Sequence, residues 1–315
     1  MATVFQTDYA WPDVQGEKLI IEGAGLEFIA GPSEALPSEK IESLVGEYNP
    51  SAIMTCWAEI SDTSINLPSD LSIVQRIGVG LDNIDVAAAT ARGARVWNVP
   101  DYCVEEVSDH AIALIMSWVR GVVLFDREIK NAKWDPTIAK LRRSNKLTVG
   151  ILGLGQIGRV TARKLSSIGI KVLAHDNGED IRTNDASLVG LNELLAKSDV
   201  VLIHLPLDKG TKNLVNEDFL YRMRCGSLLV NVSRGGIVEN NALIKALKNG
   251  WIDAAALDVV EGEPSPPKQL IMRPDVIATP HIAFSSDESI LELRERAAQE
   301  VVRVLSGKEP KHPCN

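Results

Sequence analysis

The sequence predicts an α/β protein built as two doubly wound parallel-sheet domains with a ligand cleft between them. Three observations carry that prediction. A glycine fingerprint lies between an apolar, β-branched strand and a helix-like stretch, in the run Leu147 to Gly158. Two successive series of short apolar runs alternate with helical patterns, which implies parallel sheets covered on both faces. The chain has 315 residues, more than one hydrophobic core usually serves.

In the first series the expected strands are Thr3–Thr7, Glu27–Ala30, Ala52–Thr55, Ile73–Ile77 and Arg95–Asn98, with helices at Ser38–Tyr48 and Val86–Arg92. This half has no phosphate fingerprint and is assigned to the substrate side. From Val104 to about Lys130 the apolar spacing predicts one long amphipathic helix linking the domains. The second series supplies strands at Thr148–Leu152, Lys171–His175, Val200–Leu205, Ser227–Asn231, Ala254–Asp258 and Val276–Ala278. A charged amphipathic helix, Glu288–Leu305, then returns to the first domain. The expected domains are therefore 1–101 with 287–315, and 102–286.

The fingerprint has a physical reading. The chain turns tightly at Gly153, Gly155 leaves room for close backbone approach, and Gly158 lets the next helix pack on the sheet. That helix presents unpaired N–H groups and the positive end of its dipole to a pyrophosphate. A second strand ends in Asp176, about 20 residues on, where a carboxylate accepts hydrogen bonds from an adenosine ribose. The same carboxylate repels a 2′-phosphate, so the expected cofactor is NAD rather than NADP.

Composition excludes other classes. The net charge of −9 argues against a nucleic-acid surface. No apolar run reaches membrane-spanning length, and the first residues do not read as a signal peptide. Cys56, Cys103, Cys225 and Cys314 lie far apart, as reduced thiols of a cytoplasmic protein would. The histidines show no metal-ligand spacing, so no metal is expected.

Three strands of the second series end in reactive side chains: Arg234 in Asn231-Val-Ser-Arg, Asp258 and Glu263 in the next segment, and His281 after Thr-Pro. The carboxyl ends of parallel strands face one crevice, so these groups converge. Arg234 suits bidentate binding of a carboxylate and polarisation of an adjacent carbonyl. Histidine, with an ordinary pKa near 6.5, suits proton donation to a developing alkoxide. A carboxylate at Glu263 favours the protonated imidazole. Asp258 is expected to accept from the nicotinamide carboxamide. The implied chemistry is hydride transfer to a 2-oxo acid.

The chain resembles the D-isomer-specific 2-hydroxyacid dehydrogenase family nearly end to end. The matching pieces are Val79-Gly-Leu-Asp-Asn-Ile-Asp85, Asn98-Val-Pro100, Val107-Ser-Asp-His110, Gly153-Leu-Gly-Gln-Ile-Gly158, His204-Leu-Pro-Leu207 with Thr211, Asn231-Val-Ser-Arg234, Glu263-Pro264 and Pro280-His281. Its pattern is most like the bacterial relatives of the C-terminal-binding-protein group. The resemblance implies a Rossmann NAD domain, a flavodoxin-like substrate domain and a homodimer. It assigns Arg234, Glu263 and His281 as catalytic. The backbone N–H groups of Val79 and Gly80 would bind the substrate carboxylate. Gln156, Ile157, Asp176, Pro206, Val232 and Asp258 would line the NAD site, with His204 and Thr211 in cofactor packing.

Some residues depart from the common family pattern: Asn177 follows Asp176, Asp109 replaces a glutamate, and Phe284 stands three residues after His281. Phe284, Trp57, Arg76 and Tyr102 are the candidates for reading the substrate side chain. Arg76 fits either a second anionic group on the ligand or an ordinary salt bridge, and Trp57 either the pocket or core packing. Two other functions share this fold: an NAD(H)-sensing interaction protein, and a dehydrogenase of phosphite or formate.

Overall fold

The computed structural model describes all residues except 179–182 and 312. It divides into two compact units, Met1–Tyr102 with Ser286–Asn315, and Cys103–Ser285.

The first unit runs β1 (Thr3–Gln6), α1 (Gln15–Gly23), β2 (Glu27–Ala30), α2 (Ser38–Tyr48), β3 (Ala52–Thr55), α3 (Asp62–Asn66), β4 (Ile73–Arg76), α4 (Val86–Arg92) and β5 (Arg95–Trp97), and is completed by the helix Asp287–Leu305. All strands are parallel, in the order β2-β1-β3-β4-β5, the flavodoxin-like arrangement. Every residue of β3 and β4 is buried; β3 reads as a nearly continuous apolar run, whereas β4 buries Gln75 and Arg76 as well. Phe5, Ile41, Val45, Ile53, Ile65, Val74 and Val96 belong to the core.

The closing helix opens on a capping box between Ser286 and Ser289. Its Arg294 holds the fully buried Glu17 of α1 with Nε at 3.0 Å from Oε1 and Nη2 at 2.7 Å from Oε2. The pair satisfies a carboxylate that would otherwise be costly to bury.

The second unit runs α5 (Val104–Arg120), α6 (Val122–Lys130), β6 (Thr148–Leu152), α7 (Gln156–Ser167), β7 (Lys171–His175), β8 (Ser187–Leu188), α8 (Leu191–Lys197), β9 (Val200–Ile203), α9 (Glu217–Arg222), β10 (Leu228–Asn231), α10 (Asn240–Lys248), β11 (Ala254–Leu257), α11 (Lys268–Ile271) and β12 (Val276–Ala278). The closing helix of the first unit is α12. The seven strands are parallel, in the order β12-β11-β10-β9-β6-β7-β8. The winding reverses between β6 and β9, and a doubly wound sheet binds ligands at that point. The extra strand, β8, has two exposed residues and no apolar signature.

The single long helix expected from Val104 to Lys130 is two helices. Gly121 takes a left-handed φ of 65° and the axes diverge by 63°. A Cβ at Gly121 would stand 3.0 Å from the Phe125 ring. The continuous hydrophobic spacing hid this break, because α6 carries its apolar residues without burying any. No single helix among the described residues is long and apolar enough to cross a membrane.

Candidate active site

The glycine fingerprint is built by close backbone packing. Gly153 follows β6 with φ 94°, and a Cβ there would lie 2.5 Å from the carbonyl oxygen of His204. A Cβ at Gly158 would come within 2.1 Å of Gly153 O, so α7 can rise against the sheet only if that position is bare. Gly155 precedes the first turn of α7, where no side chain caps the helix. A Cβ at Gly155 would meet nothing within 4 Å. An uncapped N-terminus with open space over its glycine is the cradle a pyrophosphate requires, and a dinucleotide fits it.

Asp176, at the end of β7, is tied to this loop. Its Oδ2 accepts from Leu154 N at 2.6 Å and its Oδ1 from Gly178 N at 2.7 Å. The residue expected to meet the ribose therefore also braces the phosphate loop. Gln156 is exposed and Ile157 half-buried on the first turn of α7.

His204 is half-buried just beyond β9, its ring turned toward Thr161 of α7. Its Nε2 lies 3.1 Å from Thr161 Oγ1, and the Thr161 hydroxyl donates to Ile157 O at 2.9 Å. With that proton committed, Nε2 is the donor to Thr161. Burial pushes the His204 pKa down to about 3, so the ring is neutral and braces the first turn of α7. Beyond it, the Thr211 hydroxyl donates to Pro206 O at 2.6 Å and accepts from Asp208 N at 2.8 Å, shaping the turn. Val232 is buried beyond β10.

The catalytic candidates stand at the ends of β10, β11 and β12. Asn231 pins its own loop, donating through Nδ2 to Arg234 O at 2.9 Å and accepting from Ser233 N at 3.1 Å. A Cβ at Gly235 would lie 2.3 Å from Glu261 N, so the loop carrying Arg234 packs directly on the segment that carries Glu263. His281 Nδ1 lies 2.9 Å from Glu263 Oε1. The imidazole backbone has a left-handed φ of 55°, and Phe284 meets the ring edge-on at 6.2 Å.

Asp258 explains how that backbone is held. Its carbonyl accepts from His281 N at 2.8 Å, and its carboxylate accepts from Ile282 N at 3.0 Å and Ala283 N at 2.9 Å. Thr279 Oγ1 adds a contact at 2.6 Å to Oδ1. The side chain is almost completely buried, so its visible work is holding the histidine loop.

In the first unit, Val79 and Gly80 follow β4 in a loop fixed by its carbonyls: Val99 N donates to Gly78 O at 2.9 Å, and Asn98 Nδ2 to Val79 O at 2.6 Å. Arg76 is buried, and its Nη1 donates to Ile77 O. Its Nε has no hydrogen-bond partner among the described residues. Its guanidinium carbon is 5.8 Å from the Trp57 ring centre. The ordinary salt bridge weighed for Arg76 is not formed among the described residues.

Trp57 is half-buried, and its N–H donates to Asp8 Oδ2 at 2.6 Å. Asp8 Oδ1 also accepts from Cys56 N at 3.0 Å. Tyr102 is buried. Sequence reasoning overlooked Asp8, whose signal was an acidic residue just after an apolar strand. No group of three or more His, Cys, Asp or Glu side chains suited to a metal occurs among the described residues.

Comparison with known proteins agrees with this geometry. The D-isomer specific 2-hydroxyacid dehydrogenase, NAD binding domain, matches residues 112–283. A glyoxylate reductase of Thermofilum pendens is 38% identical over 262 residues, covering 80% of this chain and 76% of that protein. A D-3-phosphoglycerate dehydrogenase of Archaeoglobus fulgidus is 38% identical over 247 residues, 77% of this chain and 47% of that protein. The crystal structure of a D-lactate dehydrogenase from Aquifex aeolicus, complexed with NAD and lactic acid, superposes with a TM-score of 0.83 at 26% identity, over 97% of this chain and 96% of that one. The chain belongs to the D-isomer specific 2-hydroxyacid dehydrogenase family, NAD-dependent oxidoreductases acting on the CH–OH group of 2-hydroxy acids.

Proposed function

We propose that this protein reduces a 2-oxo acid to the D-2-hydroxy acid, with His281 as the proton donor. NADH, when bound, supplies the hydride. Arg234 holds the substrate carboxylate and polarises the adjacent carbonyl. The proton passes from His281 to the carbonyl oxygen as it gains negative charge. Glu263, on the opposite ring nitrogen, orients the imidazole. The observation that carries this reading is the Glu263–His281 contact at 2.9 Å, on the same unit as the glycine cradle.

The glycine loop, Gln156, Ile157, Asp176, Pro206, Thr211 and Val232 are proposed to hold NAD, with His204 behind them and Asp258 near the carboxamide. The N–H groups of Val79 and Gly80 are proposed to take the carboxylate. Trp57, Tyr102 and Phe284 would read the side chain. A buried Arg76 with no ion pair among the described residues favours a substrate bearing a second negative group, and the partner proposed is that small molecule, with no nucleic acid and no membrane. A homodimer through the nucleotide-binding domains is proposed by family resemblance, with the exposed Val122, Val123 and Ile129 of α6 as candidate contacts. Cytoplasmic residence is proposed from the four cysteines, which form no disulfide among the described residues.

The test is NADH oxidation at 340 nm against small, hydroxylated, aromatic and doubly anionic 2-oxo acids. Turnover with one member supports the reading. Silence across the panel, with NADH binding intact, overturns it.

A further inference from the structure

We infer that His110, on α5, is a positioning residue for the proton donor, acting through Thr279 and Asp258. The observation is a continuous chain of hydrogen bonds within one unit. His110 Nε2 lies 3.0 Å from Thr279 Oγ1 and 3.5 Å from Asp258 Oδ1. Thr279 Oγ1 lies 2.6 Å from Asp258 Oδ1. An ionised carboxylate only accepts, so the single hydroxyl proton of Thr279 goes to Asp258. Thr279 must then accept from His110, which places the imidazole proton on Nε2.

The chain ends at the backbone of the catalytic histidine. Asp258 O accepts from His281 N at 2.8 Å, and the Asp258 carboxylate accepts the next two amides, Ile282 and Ala283. His281 needs this support because its φ of 55° lies in the left-handed region, which non-glycine residues occupy only when their surroundings over-determine it. Four donors converge on Asp258 from four residues of one loop, and α5 reaches it through Thr279. His110 is the member that fixes the direction of the Thr279 hydroxyl. Without it that hydroxyl rotates, Asp258 loses a donor, and the imidazole samples positions outside the productive geometry. Displacement of a reacting group by about 1 Å is enough to cost turnover.

This inference rests on His281 being the proton donor. The test uses the full-length protein with its best 2-oxo acid and saturating NADH. His110→Phe keeps the ring shape and removes the donor, whereas His110→Gln places an amide N–H near the position of Nε2. His110→Phe is expected to lower kcat about tenfold, the weight of one hydrogen bond. KM for NADH should stay within about twofold, and the solvent deuterium isotope effect on kcat should rise. His110→Gln should recover turnover to within about threefold of wild type. In a Thr279→Val background, His110→Phe should add no further loss, since both act through one hydroxyl.

Wild-type kcat in His110→Phe would overturn the inference. So would equal losses in the Phe and Gln variants, which would mark a role in shape alone, or multiplicative losses with Thr279→Val. If His281→Ala itself retains turnover, the reading of the proton donor has failed instead.

Discussion

Glu263 Oε1 meets His281 Nδ1 at 2.9 Å, although the two residues arrive from different strand ends. The contact fixes which ring nitrogen faces the carboxylate and leaves Nε2 on the opposite side of the ring. The left-handed backbone of His281 is what turns the imidazole back toward a loop that precedes it in sequence.

Replacing His281 with Ala should therefore lower kcat by about 10²- to 10⁴-fold, the usual weight of a positioned proton donor, with NADH affinity unchanged. Glu263→Gln should cost about tenfold or more in kcat. The double variant should be little worse than His281→Ala, because Glu263 acts through the ring. Steady-state kinetics with NADH titration measures all three. Multiplicative losses would mean that Glu263 acts independently of His281.

Asp176 does two jobs at the ribose end of the cradle. One oxygen braces Leu154 N at 2.6 Å, and in the proposed function its charge is what would disfavour a 2′-phosphate. Asp176→Ala should raise KM for NADH by about tenfold or more, by removing charge-assisted hydrogen bonds. The ratio of kcat/KM for NADH over NADPH should fall at the same time. An unchanged ratio would assign the cofactor preference to other residues.

A buried carboxylate organises the first unit. Asp8 accepts from the backbone N–H groups of Cys56, Trp57 and Ala58 at 3.0, 2.6 and 3.3 Å. Asp8→Ala strands those donors in the interior and should lower the unfolding free energy by about 2–4 kcal/mol. Urea denaturation reads this directly. A loss below about 1 kcal/mol would mean that water replaces the carboxylate.

Every strand but β8, and the glycine turn after β6, were legible because each follows from local pattern. Continuous apolar runs mark buried parallel strands, and the glycines at 153 and 158 mark backbone contacts too close for any Cβ. The Gly121 break was not legible: its spacing is that of one helix, and only the left-handed φ reveals the bend. Asp258 shows a second kind of limit. Its place after β11 was readable, but its engagement with Thr279, Ile282 and Ala283 depends on a loop that folds back in three dimensions. Asp8 reaches residues some fifty positions away, and His110 reaches Thr279 across an even longer separation. No periodicity encodes such pairings.

The four thiols should differ sharply in reactivity. Burial pushes the Cys56 thiol up to about 12, which leaves almost no thiolate at neutral pH, and Cys103 is also buried. Cys225 is exposed and should react first with a thiol reagent in the native protein. Cys56 should react only after unfolding. Mass mapping of the labelled peptides gives the order, and early labelling of Cys56 would contradict the packing around it.

His204 predicts a pH dependence of stability with a definite sign. Its pKa falls from 6.5 to about 3 in the folded protein because burial disfavours the charged ring. The unfolded chain therefore binds more protons than the native state between those two values, and stability rises with pH across that window. The contribution is complete above pH 6.5 and is lost progressively as pH falls toward 3. Its slope is at most ~1.4 kcal/mol per pH unit, the equivalent of one proton. His204→Gln keeps an N–H donor toward Thr161 but cannot titrate. The variant should retain NADH binding at pH 7 and show a shallower decline in unfolding free energy between pH 6 and 4. Chemical denaturation at several pH values makes the comparison. An identical slope in both proteins would mean that water or a structural adjustment relieves the burial of His204 and that other groups carry the acid sensitivity.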